Sequence, residues 1–212
     1  MTNRVKEGSV KMLDKTIDFH SIILKCQNNC ITEAPTIPKG YKVRYYEDGD
    51  ENAWAKIQTA VGEFKNRSEA QNCFNLYKDN IAELKQRQLY VIDESNGKAV
   101  ATTTAWFGEK KSHPIGVVHA LSCLPKHQSL GLGRFVAAQM MYCFYELIPG
   151  AEIWLDTQTW SYKAVGIYMH LGFVPMKTAT FNEVPNEYDK AVRVLKHKMR
   201  PDIYQRFINT AE

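Results

Sequence analysis

The stretch that decides the fold is Pro125-Lys126-His127-Gln128-Ser129-Leu130-Gly131-Leu132-Gly133-Arg134. The preceding run, Ile115–Leu124, is almost wholly apolar, which is typical of a central strand buried on both faces. The following run, Leu132–Leu147, places its apolar side chains at helical spacing. Glycines at 131 and 133 allow a tight turn and a close approach of bare backbone N–H groups to a bound group. Because these N–H groups lie at a helix N-terminus, the loop suits a phosphate or pyrophosphate.

The glycines alone do not identify a ligand. The dinucleotide pattern Gly-x-Gly-x-x-Gly fails because Val136 stands where its third glycine or alanine belongs. No Gly-Lys-Ser or Gly-Lys-Thr follows, so the P-loop pattern fails as well. A tight strand-to-helix turn without any ligand is an equal alternative, and a nucleotide-phosphate binder is a third.

The elements on either side of the loop predict an α/β fold with a mixed sheet and helices on both faces. Strands are expected at Phe19–Lys25, Tyr41–Tyr46, Leu89–Asp93, Ala99–Phe107, Ile115–Leu124, Glu152–Leu155, Phe173–Pro175 and Ala191–Lys196. Helices are expected at Ala53–Val61, Ser68–Arg87, Leu132–Leu147, Ser161–Leu171 and Asp202–Asn209. The Pro- and Gly-containing stretch Thr32–Gly40 separates an N-terminal arm, residues 1–40, from a single domain, residues 41–212.

Composition narrows the function class. The chain has 212 residues, a net charge of +4 and no dense basic run, so we expect no nucleic-acid partner. No apolar run approaches the ~20 residues of a membrane span, and we expect no membrane partner. Five irregularly spaced cysteines indicate a reducing cytoplasm rather than a disulfide framework. Cys26 and Cys30 lack a second ligand pair, so no structural metal is expected.

Two motifs in order resemble a known family. The pattern Gln128-x-x-Gly131-x-Gly133, after a proline that ends a strand, resembles the acetyl-CoA signature of the GNAT superfamily of N-acetyltransferases. The family pattern continues with a strand, a helix of the form Asn-x-x-Ala-x-x-x-Tyr and a Gly-Phe pair. The matching residues here are Ala164, Tyr168, Gly172 and Phe173, while Ser161 replaces the asparagine. The resemblance implies the GNAT acyltransferase fold and acetyl-CoA as co-substrate, with no metal.

The resemblance also implies a cofactor site. The backbone edge that pairs with the pantetheine arm would be Leu121, Ser122 and Cys123. The pyrophosphate would lie on the backbone amides of Ser129, Leu130, Gly131, Leu132, Gly133 and Arg134, with Gln128 at the mouth of the site. One face of the later helix would add Ser161, Ala164 and Tyr168.

Direct transfer from a thioester to an amine needs a base, an oxyanion donor and an acid. Tyr168 is the candidate acid. The base is His119, Asp156 or a chain of water molecules, since relatives differ in this residue. The oxyanion donor would be a backbone N–H of Cys123 or Leu124.

The acceptor site is expected across the sheet, near the loop after the first helix. Its candidate residues are Glu63, which would attract a cationic amine, and the aromatic walls Phe64 and Trp106, with Phe107 and Trp160 beside them. The acceptor is a small-molecule amine or a peptide or protein N-terminus, and the protein is expected as a monomer or a homodimer. The alternative function is a non-catalytic acyl-CoA sensor of the same fold.

Overall fold

The computed structural model describes residues 13–27 and 31–212. Its strands are β1 (Ser21–Gln27), β2 (Tyr41–Tyr45), β3 (Gln88–Asp93), β4 (Lys98–Lys110), β5 (His113–Cys123), β6 (Glu152–Gln158) and β7 (Val174–Pro175). Within these residues the strands form one sheet in the order β2-β3-β4-β5-β6-β1-β7. The β5–β6 pair is parallel and the other neighbouring pairs are antiparallel. The sheet is therefore mixed, which confirms the predicted fold class.

Helices cover both faces of this sheet. They are α1 (Glu51–Val61), α2 (Arg67–Phe74), α3 (Ile81–Arg87), α4 (Leu132–Leu147), α5 (Tyr162–His170), α6 (Tyr188–Leu195) and α7 (Pro201–Asn209). Short 3-10 turns span Asn75–Asn80, Pro125–His127 and Thr159–Ser161. Alternate residues of β3 point into different cores: Leu89 packs with Met140 and Phe144 of α4, whereas Tyr90 packs with Trp54 of α1. The sheet thus separates an α1–α3 layer from an α4–α5 layer.

The predicted helix Ser68–Arg87 is interrupted. The α-helix ends at Phe74, a 3-10 turn follows over Asn75–Asn80, and α3 starts at Ile81. Asparagine and aspartate favour turns over helix interiors because their side chains compete for the backbone, and this turn has both. The break places Tyr77 with its ring buried and its hydroxyl aimed at β5.

The predicted strand Ala191–Lys196 is wrong, because these residues belong to α6 and its C-terminal end. The position beside β6 is filled by β1 instead, which pairs antiparallel from Ser21 opposite Gln158 to Gln27 opposite Glu152. With β1 also pairing to β7, no edge is left there for another strand. Ala191 and Leu195 are wholly buried four residues apart, as one face of a helix requires.

Strands β5 and β6 touch briefly and then part. The close pairing occurs at Gly116 opposite Ile153 and at Val117 opposite Trp154. A Cβ at position 116 would lie 2.5 Å from Ile153 Cδ1, so only glycine permits this approach. Beyond it, Ala120 adopts a φ of +56° and the β4–β5 register shifts, which marks a β-bulge. The bulge bends β5 and opens a gap at the carboxyl ends of the two parallel strands.

Two findings bear on the expectations that the chain has no membrane span and no structural metal site. In the part of the chain that the structure describes, no helix is both long and apolar enough to cross a membrane. Over residues 13–27 and 31–212, no three His, Cys, Asp or Glu side chains gather to hold a metal ion. Cys30, considered above with Cys26, lies outside the described residues.

Candidate active site

Two cavities lie on either side of the gap between β5 and β6. The loop cavity, about 450 Å³, is bounded by the β5–α4 loop and the start of α5. The aromatic cavity, about 370 Å³, is bounded by α1, the residues that follow it, β4, β5 and the end of β6. Leu121 and Ala164 line both, so the two cavities meet at the parting strands. A ligand held in one can therefore react with a ligand held in the other.

The loop cavity presents unused backbone donors. None of the six amides from Ser129 to Arg134 donates to a backbone carbonyl of a described residue. Gly131 precedes the first residue of α4 with a φ of +84°, a left-handed conformation in which a side chain would be strained. The side chains of Arg134 and Lys163 add two cations to the cavity wall. Free amides at a helix N-terminus with flanking cations suit a pyrophosphate group.

The end of β5 leaves one amide facing the gap. The N–H of Leu124 donates to the carbonyl of Val100 at 2.8 Å, so it is not free to stabilise an oxyanion. Hydrogen-bonding residues alternate along an antiparallel pair, and the N–H of Cys123, opposite Ala101, therefore points away from β4 toward the gap. The expectation that Leu124 could supply the oxyanion donor is therefore wrong, whereas the N–H of Cys123 is not used by β4. Gln128 ties the loop back to this point by donating to the Cys123 carbonyl at 2.9 Å.

A buried glutamine holds the bulge in place. Gln58 on α1 is 1% exposed and donates its amide N–H to the carbonyl of Ala120 at 3.0 Å. Its carbonyl oxygen accepts from the hydroxyl of Ser122, also at 3.0 Å. Both groups of the side chain are thus satisfied by residues on either side of Leu121. Gln58 therefore fixes the shape of β5 where the two cavities meet.

Two carboxylates and a tyrosine converge on the aromatic cavity. Glu63 follows α1, Asp156 lies on β6, and both side chains line the cavity. Surrounding protein atoms hinder hydration and raise the pKa of each carboxyl group, and the charge of Asp156 raises that of Glu63 further. Tyr168 on α5 is 6% exposed, and burial followed by the charges of Glu63 and Asp156 raises its pKa. Its hydroxyl stays protonated at neutral pH and has no hydrogen-bond partner among the described residues.

Buried hydrogen bonds lie beside His119. The hydroxyl of Tyr90 donates to Gln88 Oε1 at 2.7 Å, and the Gln88 amide donates to Thr104 Oγ1 at 3.0 Å. The hydroxyl oxygen of Tyr77 lies 3.0 Å from His119 Nδ1, within hydrogen-bond distance, so this ring nitrogen is engaged. Burial lowers the pKa of His119 to about 4, and the ring is neutral.

Aromatic rings form a large part of the wall of the same cavity. Trp54 and Phe64 lie with centroids 5.8 Å apart, and Tyr77 and Trp106 lie 4.9 Å apart. All four line the aromatic cavity. Phe107 is not among its lining residues and stacks on Trp106 at 4.7 Å.

The structure brings most of the predicted site residues to these two cavities. The loop cavity is lined by Leu121, Cys123, Gln128, Ser129, Gly131, Gly133, Arg134 and Ala164. The aromatic cavity is lined by Glu63, Phe64, Trp106, His119, Ser122, Asp156, Ser161 and Tyr168. Ser122, Ser161 and Tyr168, predicted beside the cofactor, are thus on the acceptor side of the gap. Leu130 is 53% exposed and Leu132 is buried in the core, and neither lines a cavity.

Lys163, Gln58 and Tyr77 are among the site residues that were missed from the sequence. Lys163 could have been found, because it directly precedes Ala164, which the motif had already placed at the site. The sequence around Gln58 and Tyr77 contains no pattern that indicates a site residue. Their roles depend on β5, which is distant in sequence from both.

A family model supports this geometry. The model described as the acetyltransferase (GNAT) family matches residues 53–173, more than half of the chain. The matched residues include most of α1, the strands that border the two cavities and the Gly172-Phe173 pair. No curated protein matches the chain.

Solved structures share the fold at low identity. A GCN5-related N-acetyltransferase from Sphaerobacter thermophilus is 16% identical with a TM-score of 0.60, over 73% of this chain and 48% of that one. A GNAT-family acetyltransferase from Colwellia psychrerythraea is 13% identical with a TM-score of 0.54, over 75% and 54%. A tandem GNAT protein from the clavulanic acid biosynthesis pathway is 12% identical with a TM-score of 0.52, over 73% and 50%. The chain thus spans about half the length of these structures, and the likeness shows the fold.

Proposed function

Because the chain belongs to the GNAT acetyltransferase family, we propose that it transfers the acetyl group of acetyl-CoA to the nitrogen of a primary amine. The observation that supports this most directly is the meeting of the two cavities at Leu121 and Ala164. One cavity has free amides and cations for a pyrophosphate, and the other has carboxylates for a cationic amine. Acetyl-CoA supplies an activated thioester, and the reaction forms a C–N bond as the C–S bond breaks.

The residues of the loop cavity fit the cofactor. The amides from Ser129 to Arg134 would hold the pyrophosphate, and Arg134 and Lys163 would neutralise part of its charge. The exposed edge of β5 at Leu121 and Cys123 would pair with the amide groups of the pantetheine arm. The N–H of Cys123 would donate to the thioester oxygen as negative charge develops on it.

Asp156 is the better base candidate of the two predicted from the sequence. The Nδ1 atom of His119 is engaged with Tyr77, and burial lowers the pKa of the ring to about 4, so His119 is a weak base. Asp156 is exposed and has no side-chain hydrogen-bond partner among the described residues, and partial desolvation raises its pKa. A raised pKa brings a carboxylate closer to the pKa of an amine. Desolvation raises the pKa of Glu63 as well, but the charge of Lys15 opposes this shift, which suits Glu63 to hold the ammonium.

Tyr168 would protonate the departing sulfur. Its hydroxyl is buried, protonated and free of other partners, so it can donate to a thiolate at the gap. An ammonium bound between Glu63 and Asp156 would offset the charges that raise the Tyr168 pKa, and proton donation would become easier. The bound ammonium would give one proton to Asp156 before the amine attacks, and Asp156 would release it to solvent. As the C–S bond breaks, Tyr168 would give its proton to sulfur and take up the second proton that the nitrogen loses.

The test separates binding from transfer. Saturating acetyl-CoA should raise the melting temperature, since a ligand that binds only the native state stabilises it. Tyr168→Phe should bind acetyl-CoA with a Kd within about threefold of wild type while turnover falls about 100-fold. The matched control Tyr162→Phe, on the same helix but outside both cavities, should keep full turnover. Binding without CoA release over a broad amine panel would instead indicate a non-catalytic acyl-CoA sensor.

A further inference from the structure

The fixed charges around the aromatic cavity are all negative. Glu63 and Asp156 line it, and no lysine or arginine does among the described residues. Neither carboxylate forms an ion pair with a described side chain. Lys15, whose charge reaches Glu63, donates to the carbonyl of Gly62 at 2.6 Å. These two exposed carboxylates therefore make this side of the cavity negative and attractive to a cation.

A second group points to a ligand at the same end. Tyr168 is more than nine-tenths buried, lines the cavity and has a hydroxyl without a partner among residues 13–27 and 31–212. The hydroxyl is open to the cavity and can donate to a bound molecule or accept from it. With Asp156 beside it, the polar end of the cavity can surround a primary amine next to the gap.

Aromatic rings make up much of the cavity lining and favour an apolar body. Trp54, Phe64, Tyr77 and Trp106 line the cavity, and Leu76 beside them is 78% exposed. These rings offer few hydrogen bonds to the hydroxyls of a sugar or the second ammonium of a polyamine. An aromatic ring packed against them would be stabilised by about 1.5–3 kcal/mol of apolar burial.

The size of the cavity limits the acceptor. A volume of about 370 Å³ lies near the lower end of small-molecule sites, which span roughly 300–1,000 Å³. Resting on the proposed function, we infer that the acceptor is a small arylalkylamine, a primary amine joined by a short apolar chain to an aromatic ring. The ammonium lies between Glu63 and Asp156, and the ring lies against Phe64 and Trp106.

An acceptor panel tests this inference. At saturating acetyl-CoA, kcat/KM for 2-phenylethylamine should exceed that for ethylamine by at least about tenfold. This factor is the gain in transition-state binding expected from burying an aromatic ring. It should also exceed the values for spermidine, glucosamine and a tripeptide with a free N-terminus. A higher value for any of these three would overturn the arylalkylamine inference, while acetylation of that amine would leave the proposed function standing. No CoA release with any amine, despite stabilisation by acetyl-CoA, would remove the proposed function and the inference with it.

Wall variants test the placement of the ring. Trp106→Ala should lower kcat/KM for 2-phenylethylamine about tenfold and change that for ethylamine by less than about twofold. Phe64→Ala, in a half-buried position, should give the same selective loss if Trp106→Ala does not fold. Tyr145→Ala is the control, since its half-buried ring on α4 lies outside both cavities, and both amines should react as in wild type. Equal losses for both amines in the wall variants would show that the wall does not bind the ring.

Discussion

The hydroxyl of Tyr77 lies 3.0 Å from Nδ1 of His119, so this ring nitrogen is engaged in a hydrogen bond. Burial lowers the pKa of the same ring to about 4. His119 is thus a weak base, although its place on β5 is one where a base was expected. The following predictions depend on this relationship and on the gap beside it.

Replacing each of the two base candidates in turn should show which of them takes the amine proton. Asp156→Asn removes the carboxylate that takes the amine proton and should lower kcat about 100-fold or more. His119→Asn keeps a hydrogen-bonding group for Tyr77 near the position of Nδ1 and should lower kcat less than about tenfold. Steady-state CoA release at saturating substrates measures both. Equal losses in the two variants would return His119 to the role of base.

The pH dependence of stability should report the buried state of His119. Its pKa is lowered from 6.5 to about 4 in the folded protein, so the unfolded chain binds the proton more tightly between these values. The contribution of His119 to the free energy of unfolding is therefore fully present above pH 6.5. It is lost as the pH falls from there through about 4, by up to about 3 kcal/mol. Urea unfolding at several pH values should show a shallower loss in His119→Asn. Parallel curves for the two proteins would contradict the lowered pKa.

Removing Gln58 should affect both the fold and the site. Gln58→Ala leaves the Ala120 carbonyl and the Ser122 hydroxyl without their buried partner, which should cost roughly 2–4 kcal/mol in the free energy of unfolding. Because the bulge opens the gap, the Kd for acetyl-CoA should rise as well. The control Gln71→Ala, whose side chain is exposed, should change stability by less than about 0.5 kcal/mol. An unchanged Kd in a destabilised Gln58→Ala protein would show that the bulge does not position the cofactor.

The thiol of Cys123 should not take part in the chemistry. Burial raises its pKa to about 11, so the thiol is protonated at neutral pH and is a poor nucleophile. Cys123→Ala keeps the backbone amide and should retain turnover within about threefold. Mass spectrometry of the enzyme after incubation with acetyl-CoA alone should find no acetyl group on this cysteine. An acetylated Cys123 that is competent to transfer would replace direct attack with a two-step mechanism.

Local patterns in the sequence were enough to predict the central elements of the fold. The apolar run of β5, the glycine loop and the periodic face of α4 are contiguous, and each has its own physical signature. The Ala164, Tyr168 and Gly172 spacing placed α5 beside the loop in the same way. These elements form the loop cavity, and its lining was therefore largely predictable.

Contacts between residues distant in sequence determined the features of the fold and site that local patterns did not predict. Val192 and Val194 favour a strand, yet the edge beside β6 is taken by β1 from the other end of the chain, and α6 forms instead. The contact between Gln58 and Ala120 spans 62 positions and depends on the bulge. The contact between Tyr77 and His119 spans 42 positions, and no single segment of sequence encodes it.

The measurement that tests the central claim most directly is mass-spectrometric detection of the acetylated amine alongside CoA release. With acetyl-CoA and 2-phenylethylamine, the wild-type protein should form one N-acetyl product for each CoA released, and Tyr168→Phe should form it about 100-fold more slowly. CoA release without an acetylated amine, or no release from any amine by a protein that binds acetyl-CoA, would contradict the assignment as an N-acetyltransferase.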